Sequence, residues 1–164
     1  MESCGRLCEV LIIQSIEFGR RGDLPRMTET EWREFLTAGA RTGKLATTRL
    51  DGRPHVVPVW FVLDGDDLVF NTGADTVKGR SLLRTGWASL CVDDESPPFS
   101  FVTVSGPVAI STDLDEMLPW AIRIAERYMG DARAERFGRR NAVEGELLLR
   151  LRATHVVAVS RLAD

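Results

Sequence analysis

The chain has few of the residues that usually carry catalysis or crosslink a fold. It contains two histidines, one tyrosine and three cysteines among its 164 residues. An odd number of cysteines, with Cys4 and Cys8 near the N-terminus, suits reduced thiols rather than a disulfide framework. Cys4 and Cys8 have the spacing of one helical turn, but both histidines are distant in the sequence, so a zinc site lacks ligands. We therefore expect a cytoplasmic protein without a bound metal.

Long apolar runs and a positive net charge are also missing. No run approaches the roughly 20 apolar residues that span a bilayer. The apolar segment 7–13 is interrupted by Glu9 and no convincing cleavage site follows it, so it is a poor signal peptide. A formal net charge of −3 provides no positive field for nucleic acid. The composition predicts one soluble globular domain with no membrane span and no nucleic-acid partner.

Residues 1–26 do not share the pattern of the rest of the chain. Directly after Met27, Thr28 and Glu31 have the spacing of a helix-capping box. We predict a folded domain over residues 27–164. The preceding residues are expected to be a disordered extension or the result of a mis-annotated start, with translation beginning at Met27.

Residues 44–79 carry the most informative pattern. Asp51-Gly52 and Asp64-Gly65 each supply the positions with φ > 0 that a two-residue hairpin loop needs. Three strands joined by two such loops are therefore predicted. The middle strand, Arg53–Leu63, is apolar on both faces, which is typical of a strand covered on both sides. Pro58 removes a hydrogen-bond donor from this strand and indicates an edge, a bulge or a position that faces a ligand.

A helix start follows the third of these strands. The strand ends at Asn71-Thr72-Gly73, and the helix is predicted to begin at Asp75 and Thr76, with Lys78 in its first turn. A cation at this end opposes the helix dipole. A bound anion would explain the placement, because a helix start beside a cation is a typical phosphate site. A solvated surface lysine explains it equally well, and both interpretations stay open at this point.

The rest of the chain predicts further strands and helices. The acidic run 93–95 is interpreted as part of a solvated loop rather than a metal site. Ser105 lacks the glycine that a nucleophile elbow needs two residues earlier, which disfavours a serine hydrolase, and 105–107 is expected to bend its strand. Strands are predicted at 44–50, 87–92, 99–110, 146–151 and 155–160, and two helices at 28–37 and 76–84. A third helix is predicted from Thr112, with Asp115 as its capping partner and a kink or second start at Pro119. A fourth is predicted from Asp131, after a C-cap at Gly130.

The order of these motifs resembles that of the flavin-binding split barrels related to pyridoxamine 5'-phosphate oxidase. The shared features are the hairpin, the proline-bearing strand, Asn71-Thr72, Lys78-Gly79, and the segments 87–93 and 101–107. Within that superfamily the chain most resembles enzymes that use the deazaflavin coenzyme F-420. The resemblance runs from Met27 to the C-terminus. It implies a mainly β fold (β with α), a six- to seven-stranded antiparallel split β-barrel with flanking helices, and a homodimer.

Two departures from the family pattern bear on the cofactor. Members that bind flavin mononucleotide (FMN) usually have an arginine where this chain has Val57. They also have Arg-Lys-Gly where it has Val77-Lys78-Gly79. The absence of two phosphate-binding arginines favours F-420, with FMN as the alternative. The final Arg161-Leu162 matches one motif of the vitamin-forming oxidases, but the rest of their substrate signature is absent.

The resemblance implies an oxidoreductase that transfers a hydride from reduced F-420 to a small organic acceptor such as a quinone, tetrapyrrole or enone. The alternatives are an FMN-dependent oxidoreductase and a flavin or deazaflavin carrier without turnover. No catalytic side chain is assigned, because the cofactor ring carries the chemistry.

The substrate proton has three candidate sources: solvent, His55 and Tyr128. Arg49, Arg53 and Arg80 are candidates for the acidic tail of F-420, and Trp60 and Trp87 for the substrate side. The predicted cofactor-binding residues are Thr47, Thr48, Val57, Pro58, Val59, Trp60, Asn71, Thr72, Thr76, Lys78 and Arg80.

Overall fold

The computed structural model describes residues 24–163. Over this range the chain forms eight strands and four helices. The fold is mainly β with α, as predicted. In order along the chain, the elements are α1 (Glu29–Thr37), β1 (Gly43–Thr48), β2 (Pro54–Val59), β3 (Val62–Asp64), β4 (Asp67–Gly73), α2 (Val77–Thr85), β5 (Trp87–Asp94), β6 (Ser100–Ser111), α3 (Leu114–Met129), α4 (Asp131–Asn141), β7 (Glu146–Arg152) and β8 (His155–Val159).

All strand pairs are antiparallel, in the order β2-β1-β5-β6-β7-β4-β3, with β8 also paired to β6. Two sheets share β6. In the first sheet, β6 pairs with β5 and β8, and in the second it pairs with β7. The six- to seven-stranded barrel predicted from the sequence thus has eight strands. The extra strand arises because the predicted strand Arg53–Leu63 breaks at Trp60 and Phe61 into β2 and β3.

The chain passes from one sheet to the other at the predicted bend in β6. Pro107 still pairs with β5, whereas Val108 pairs with Leu151 of β7. A Cβ atom on Gly106 would lie 2.0 Å from the main-chain oxygen of Arg152. Only glycine fits this close approach of two backbones.

Two apolar clusters hold the fold together. The larger one lies between the sheets and includes Leu36 of α1 and Leu82 of α2, both fully buried. The smaller one places Met117 and Ile124 of α3 against the second sheet. Helix α3 therefore covers the back of the second sheet.

Both glycine-bearing hairpins form, but their loops differ from the prediction. In the first, the Arg49 N–H donates to the Arg53 oxygen at 2.9 Å and the Gly52 N–H to the Arg49 oxygen at 3.0 Å. The loop therefore has three residues, with Gly52 at φ 81°, and the predicted two-residue loop is wrong. In the second hairpin Asp64 pairs with Asp67, so the two loop residues are Gly65-Asp66 rather than Asp64-Gly65.

Most of the helix ends match the sequence. The capping box of Thr28 and Glu31 is present, and Gly86 ends α2 in the left-handed region at φ 59°. Helix α3 starts one residue later than predicted, because the Asp113 side chain accepts from the first-turn N–H groups in place of Thr112. The helix continues through Pro119 without a second start, and Gly130 is its C-cap.

The segment before α1 runs beside β8. The Met27 N–H donates to the Ala158 oxygen at 3.1 Å, and the Ser160 N–H donates to the Pro25 oxygen at 2.9 Å. Residues 1–23 of the predicted extension, including Cys4 and Cys8, lie outside the described residues. Between residues 24 and 163, no helix has the length and apolar character needed to cross a bilayer.

Candidate functional site

Strand β2 is an edge strand, since among the described residues it pairs with β1 alone. The bond from Arg49 to Arg53 makes those two residues a hydrogen-bonded pair. Because such pairs alternate along an antiparallel ladder, Val57 and Val59 direct their main-chain groups toward β1. The N–H and C=O of Val56 and the C=O of Pro58 then point away from β1, along the outer edge.

The predicted groove along β2 is open surface in the single chain. The Val56 side chain is 59% exposed and Pro58 is also exposed, whereas Val59 is buried. Pro58 thus lies at an edge, one of the three settings that the sequence allowed. Val57 points into the larger cluster, so only one face of β2 is covered by the chain itself.

The two threonines of β1 have opposite environments. Thr47 is 5% exposed, and its hydroxyl has no hydrogen-bond partner among the described residues. Thr48 is exposed, and its main-chain oxygen accepts a hydrogen bond from Arg84 of α2. A buried hydroxyl without a partner is destabilising in a folded chain, so Thr47 marks a position where a polar ligand atom would be accommodated.

The side chain of Trp60 packs toward α3. Its indole stacks on the Tyr128 ring, with centroids 5.0 Å apart and an interplanar angle of 3°. It also joins the smaller apolar cluster. Trp87, the other tryptophan considered for the substrate side, is 50% exposed at the start of β5.

The start of α2 brings the predicted phosphate residues together. Thr76 is the N-cap, and its hydroxyl accepts the Gly79 N–H at 3.0 Å and donates to the Gly73 oxygen at 2.8 Å. The hydroxyl of buried Thr72 lies 3.3 Å from that of Thr76. Lys78 follows in the first turn, as predicted. A Cβ atom on Gly79 would lie 2.3 Å from the Gly73 oxygen, so glycine is needed for α2 to approach the end of β4.

Glu146 is a residue at this site that the sequence analysis missed. It pairs with Gly73 across the β4–β7 ladder. Burial raises the pKa of Glu146, the charge of Lys78 lowers it, and the charge of Asp75 raises it. The α2 start therefore combines one lysine with two nearby carboxylates. No local signal in the sequence reveals this contact, because it depends on a long-range strand pairing.

The other predicted basic and polar residues mostly have partners within the chain. Arg80 is exposed and donates to the main-chain oxygen of Asp75, close to the α2 start. Arg53 forms an ion pair with Asp51 at 2.5 Å, and Arg49 lies 3.3 Å from Nδ1 of His55. The Asn71 amide donates to the main-chain oxygen of Asn141 at 3.4 Å, beside the end of α4.

Several other candidates have structural roles. The Tyr128 hydroxyl donates to the Arg41 oxygen at 2.8 Å and accepts the Phe61 N–H at 3.3 Å, and burial raises its pKa. It is therefore a poor proton donor for a substrate. Ser105 shares a 2.7 Å hydrogen bond with the hydroxyl of Ser89.

The acidic residues after Val92 are not all in a loop. Asp93 and Asp94 belong to β5, where they pair with Lys44 at 2.5 Å and Arg41 at 2.8 Å. The predicted solvated loop is thus shorter than expected. Over residues 24–163 no group of three or more metal-ligating side chains comes together.

These features suit a planar ring joined to an anion. The outer edge of β2 offers the N–H of Val56 and the carbonyl groups of Pro54, Val56 and Pro58, and Thr47 adds an unpartnered hydroxyl. At the α2 start, the carboxylates of Asp75 and Glu146 offset part of the field of Lys78.

Comparisons with known proteins agree with this fold. Among solved structures, a conserved hypothetical protein of Mycobacterium tuberculosis is 23% identical, with a TM-score of 0.73, over 87% of this chain and 90% of that one. An F-420 reductase is 25% identical, with a TM-score of 0.59, over 75% of this chain and 94% of its own. An FAD-binding protein of Mesorhizobium loti is 20% identical, with a TM-score of 0.61, over 82% and 94% of the two chains.

Curated proteins provide no match to the chain. The family model described as pyridoxamine 5'-phosphate oxidase matches residues 28–160, which is most of the sequence. The chain therefore belongs to the pyridoxamine 5'-phosphate oxidase family of split barrels.

Proposed function

We propose that the protein is a homodimeric, cytoplasmic oxidoreductase that uses the deazaflavin coenzyme F-420 to reduce a small organic acceptor. The observation that carries this proposal is the open edge of β2, where Val56 and Pro58 direct main-chain groups away from β1. When bound, the reduced coenzyme supplies the hydride. The chain supplies binding, orientation and exclusion of water, which is consistent with the absence of an assigned catalytic side chain.

The ring binds along β2. The adjacent N–H and C=O of Val56 match the C=O and N–H of a cyclic imide, which deazaflavin and flavin rings both carry. Pro58 offers only an acceptor, which leaves no second donor on this part of the edge. Thr47 and Thr48 lie on the neighbouring strand and complete the predicted ring site.

The anionic linker binds at the start of α2. Thr72, Thr76 and Lys78 surround it, and the first-turn N–H groups of α2 add a favourable dipole. The F-420 linker is a phosphodiester with one negative charge, whereas the phosphate monoester of FMN carries nearly two at neutral pH. A single lysine offset by Glu146 favours the first over the second.

A second copy of the chain covers the outer face of the first sheet. The side chains there belong to neither apolar cluster, and Val56 and Trp87 are at least half exposed. Antiparallel partners across β1, β5 and β6 share this face: Ala46 with Ser89, Ser89 with Ser105, and Trp87 with Pro107. A partner on this face would exclude water from the ring site along β2.

Parallel titrations of purified protein with F-420 and with FMN, followed by tryptophan fluorescence, test the cofactor. We expect saturable binding of F-420 and weaker binding of FMN. The reverse order would support an FMN enzyme, and binding of neither would overturn the proposal. Turnover of reduced F-420 against quinones, tetrapyrroles and enones then separates an enzyme from a carrier, because a carrier binds the coenzyme without oxidising it.

Sedimentation of Val56→Glu tests the dimer. A charge on the outer face of the first sheet should convert a dimer to a monomer. The matched control is Val143→Glu, which changes an exposed valine in the α4–β7 loop. A wild-type monomer, or a Val56→Glu dimer, would contradict the proposed interface.

A further inference from the structure

Helix α3 contacts the point where β2 ends. Phe61 lies between β2 and β3, where the chain leaves the first sheet for the second. Its N–H and C=O therefore take no part in either strand pairing. Two adjacent residues of α3, Arg127 and Tyr128, bind both groups. We propose that Arg127 and Tyr128 are positioning residues that hold the end of β2 in the conformation that binds the cofactor.

Tyr128 fixes this point in two ways. Its hydroxyl accepts the Phe61 N–H at 3.3 Å and donates to the Arg41 oxygen at 2.8 Å, just before β1. Its ring stacks on Trp60 at 5.0 Å. One side chain therefore joins the chain before β1 to the chain after β2.

Arg127 contacts the main chain of three residues at once. Its guanidinium donates to the oxygens of Phe61 at 3.0 Å, Leu36 at 2.6 Å and Gly39 at 3.1 Å. It also lies 4.6 Å from the centroid of the Phe61 ring. Among the described residues Arg127 forms no ion pair with a carboxylate. Its charge is therefore directed at carbonyl groups of α1, of the α1–β1 loop and of the β2–β3 connection.

The contact matters for the cofactor because strand geometry is sensitive to register. If β2 shifted by one residue along β1, the main-chain groups that now face β1 would face outward, and those that now face outward would face β1. Val56 would then lose its outward N–H and C=O, and Pro58 would be forced against β1, where its missing donor leaves a gap. Arg127 and Tyr128 prevent this by fixing Phe61, five residues beyond Val56. This inference rests on the proposed function, since it assigns the two residues a role at the same site.

The variants Tyr128→Phe and Arg127→Gln test the inference. Tyr128→Phe removes both hydrogen bonds but keeps the aromatic stack, so it is the milder change. Arg123→Gln is the matched control on α3, because its guanidinium lies over Trp120 at 5.1 Å and does not contact Phe61. All four proteins are titrated with F-420 at a temperature where circular dichroism shows each to be fully folded.

We expect Tyr128→Phe to raise the coenzyme Kd about tenfold, as if only a tenth of the molecules were binding-competent. Arg127→Gln should do the same or more, and Arg123→Gln should match wild type. Amide hydrogen exchange gives a second measurement: exchange at Phe61, Val57 and Val59 should be faster in the two variants, and the protection of α2 should be unchanged. The visible spectrum of bound coenzyme should also shift, which a loss of stability alone would not produce.

The outcomes separate this inference from the proposed function. If wild type binds F-420 and Tyr128→Phe binds it equally well, the positioning role is overturned while the proposed function stands. If Arg123→Gln weakens binding as much as Tyr128→Phe, the effect is a general one of α3 and the inference is likewise overturned. If wild type binds neither F-420 nor FMN, the proposed function fails and the inference fails with it.

Discussion

Lys78 of α2 lies close enough to Glu146 of β7 for its charge to act on that carboxyl group, although the two residues are far apart in the sequence. The charge of Lys78 lowers the pKa of Glu146, against burial and the charge of Asp75, which raise it. The lysine that we propose as an anion ligand thus already has a carboxylate as a neighbour. A phosphate group at the proposed site beside Lys78 would therefore lie near a second negative charge.

We predict that Glu146→Gln binds F-420 more tightly at neutral pH, by about two- to fivefold, because a competing surface charge is removed.

The same substitution should change how stability depends on pH. The folded-state pKa of Glu146 is raised on balance, so folding favours its protonated form. The wild type therefore loses stability relative to Glu146→Gln as the pH rises through that pKa, and below the unfolded value of about 4.3 the two should be equally stable. Urea unfolding between pH 4 and 7, together with F-420 titrations, measures both effects. Equal affinities at neutral pH would contradict the prediction.

Lys78→Ala should weaken F-420 binding by about 1.5–3 kcal/mol, because a charge-assisted contact to the phosphodiester is lost. Binding to a coenzyme fragment that lacks the phosphate should not change. Isothermal titration of both compounds distinguishes a phosphate contact from a general disturbance. Unchanged affinity for the full coenzyme would remove Lys78 from the site.

Thr76→Ala should lower the free energy of unfolding by about 1 kcal/mol, because the Gly79 N–H loses its cap. It should also weaken coenzyme binding. Thr28→Ala is the matched control, since it removes the cap of α1 at a comparable cost. Thermal unfolding should show similar losses for the two variants, with reduced F-420 affinity only for Thr76→Ala. Equal affinities would place Thr76 outside the site.

Thr47→Val should stabilise the protein without ligand by about 1 kcal/mol, because a buried hydroxyl with no partner is replaced by a methyl group. The same change should weaken coenzyme binding if the hydroxyl contacts the ring. Thr48→Val, an exposed neighbour, should alter neither quantity much. Melting temperatures with and without F-420 test this, and a stabilised variant with unchanged affinity would assign Thr47 to the core alone.

Short sequence motifs correctly predicted helix ends that depend only on neighbouring residues. The capping box of Thr28 and the left-handed glycine at Gly86 form as expected. At α3 the predicted cap, Thr112 with Asp115 as partner, is wrong by one residue, because the side chain of Asp113 caps the helix. The first hairpin loop was misjudged because Asp51-Gly52 occurs in three-residue loops as well as in two-residue ones.

The features that could not be predicted from the sequence depend on contacts between residues that are far apart in the chain. The apolar run Arg53–Leu63 predicts one strand, yet Arg127 and Tyr128 bind Phe61 and the strand divides there. The pairing of β4 with β7 places Glu146 near Lys78, and no pattern around either residue indicates it. The predicted residues at the α2 start do come together, because Thr72, Thr76 and Lys78 are close in the sequence.

Pro58 has a consequence for how the protein behaves at high concentration. An open sheet edge is a template on which strands of other molecules can add, and this is a route to fibrillar aggregation. By interrupting the row of donors on β2, the proline prevents an incoming strand from completing its ladder. The N–H of Val56 stays available to the ring that we propose for this edge. Pro58 thus protects the open edge of β2 against polymerisation without covering it.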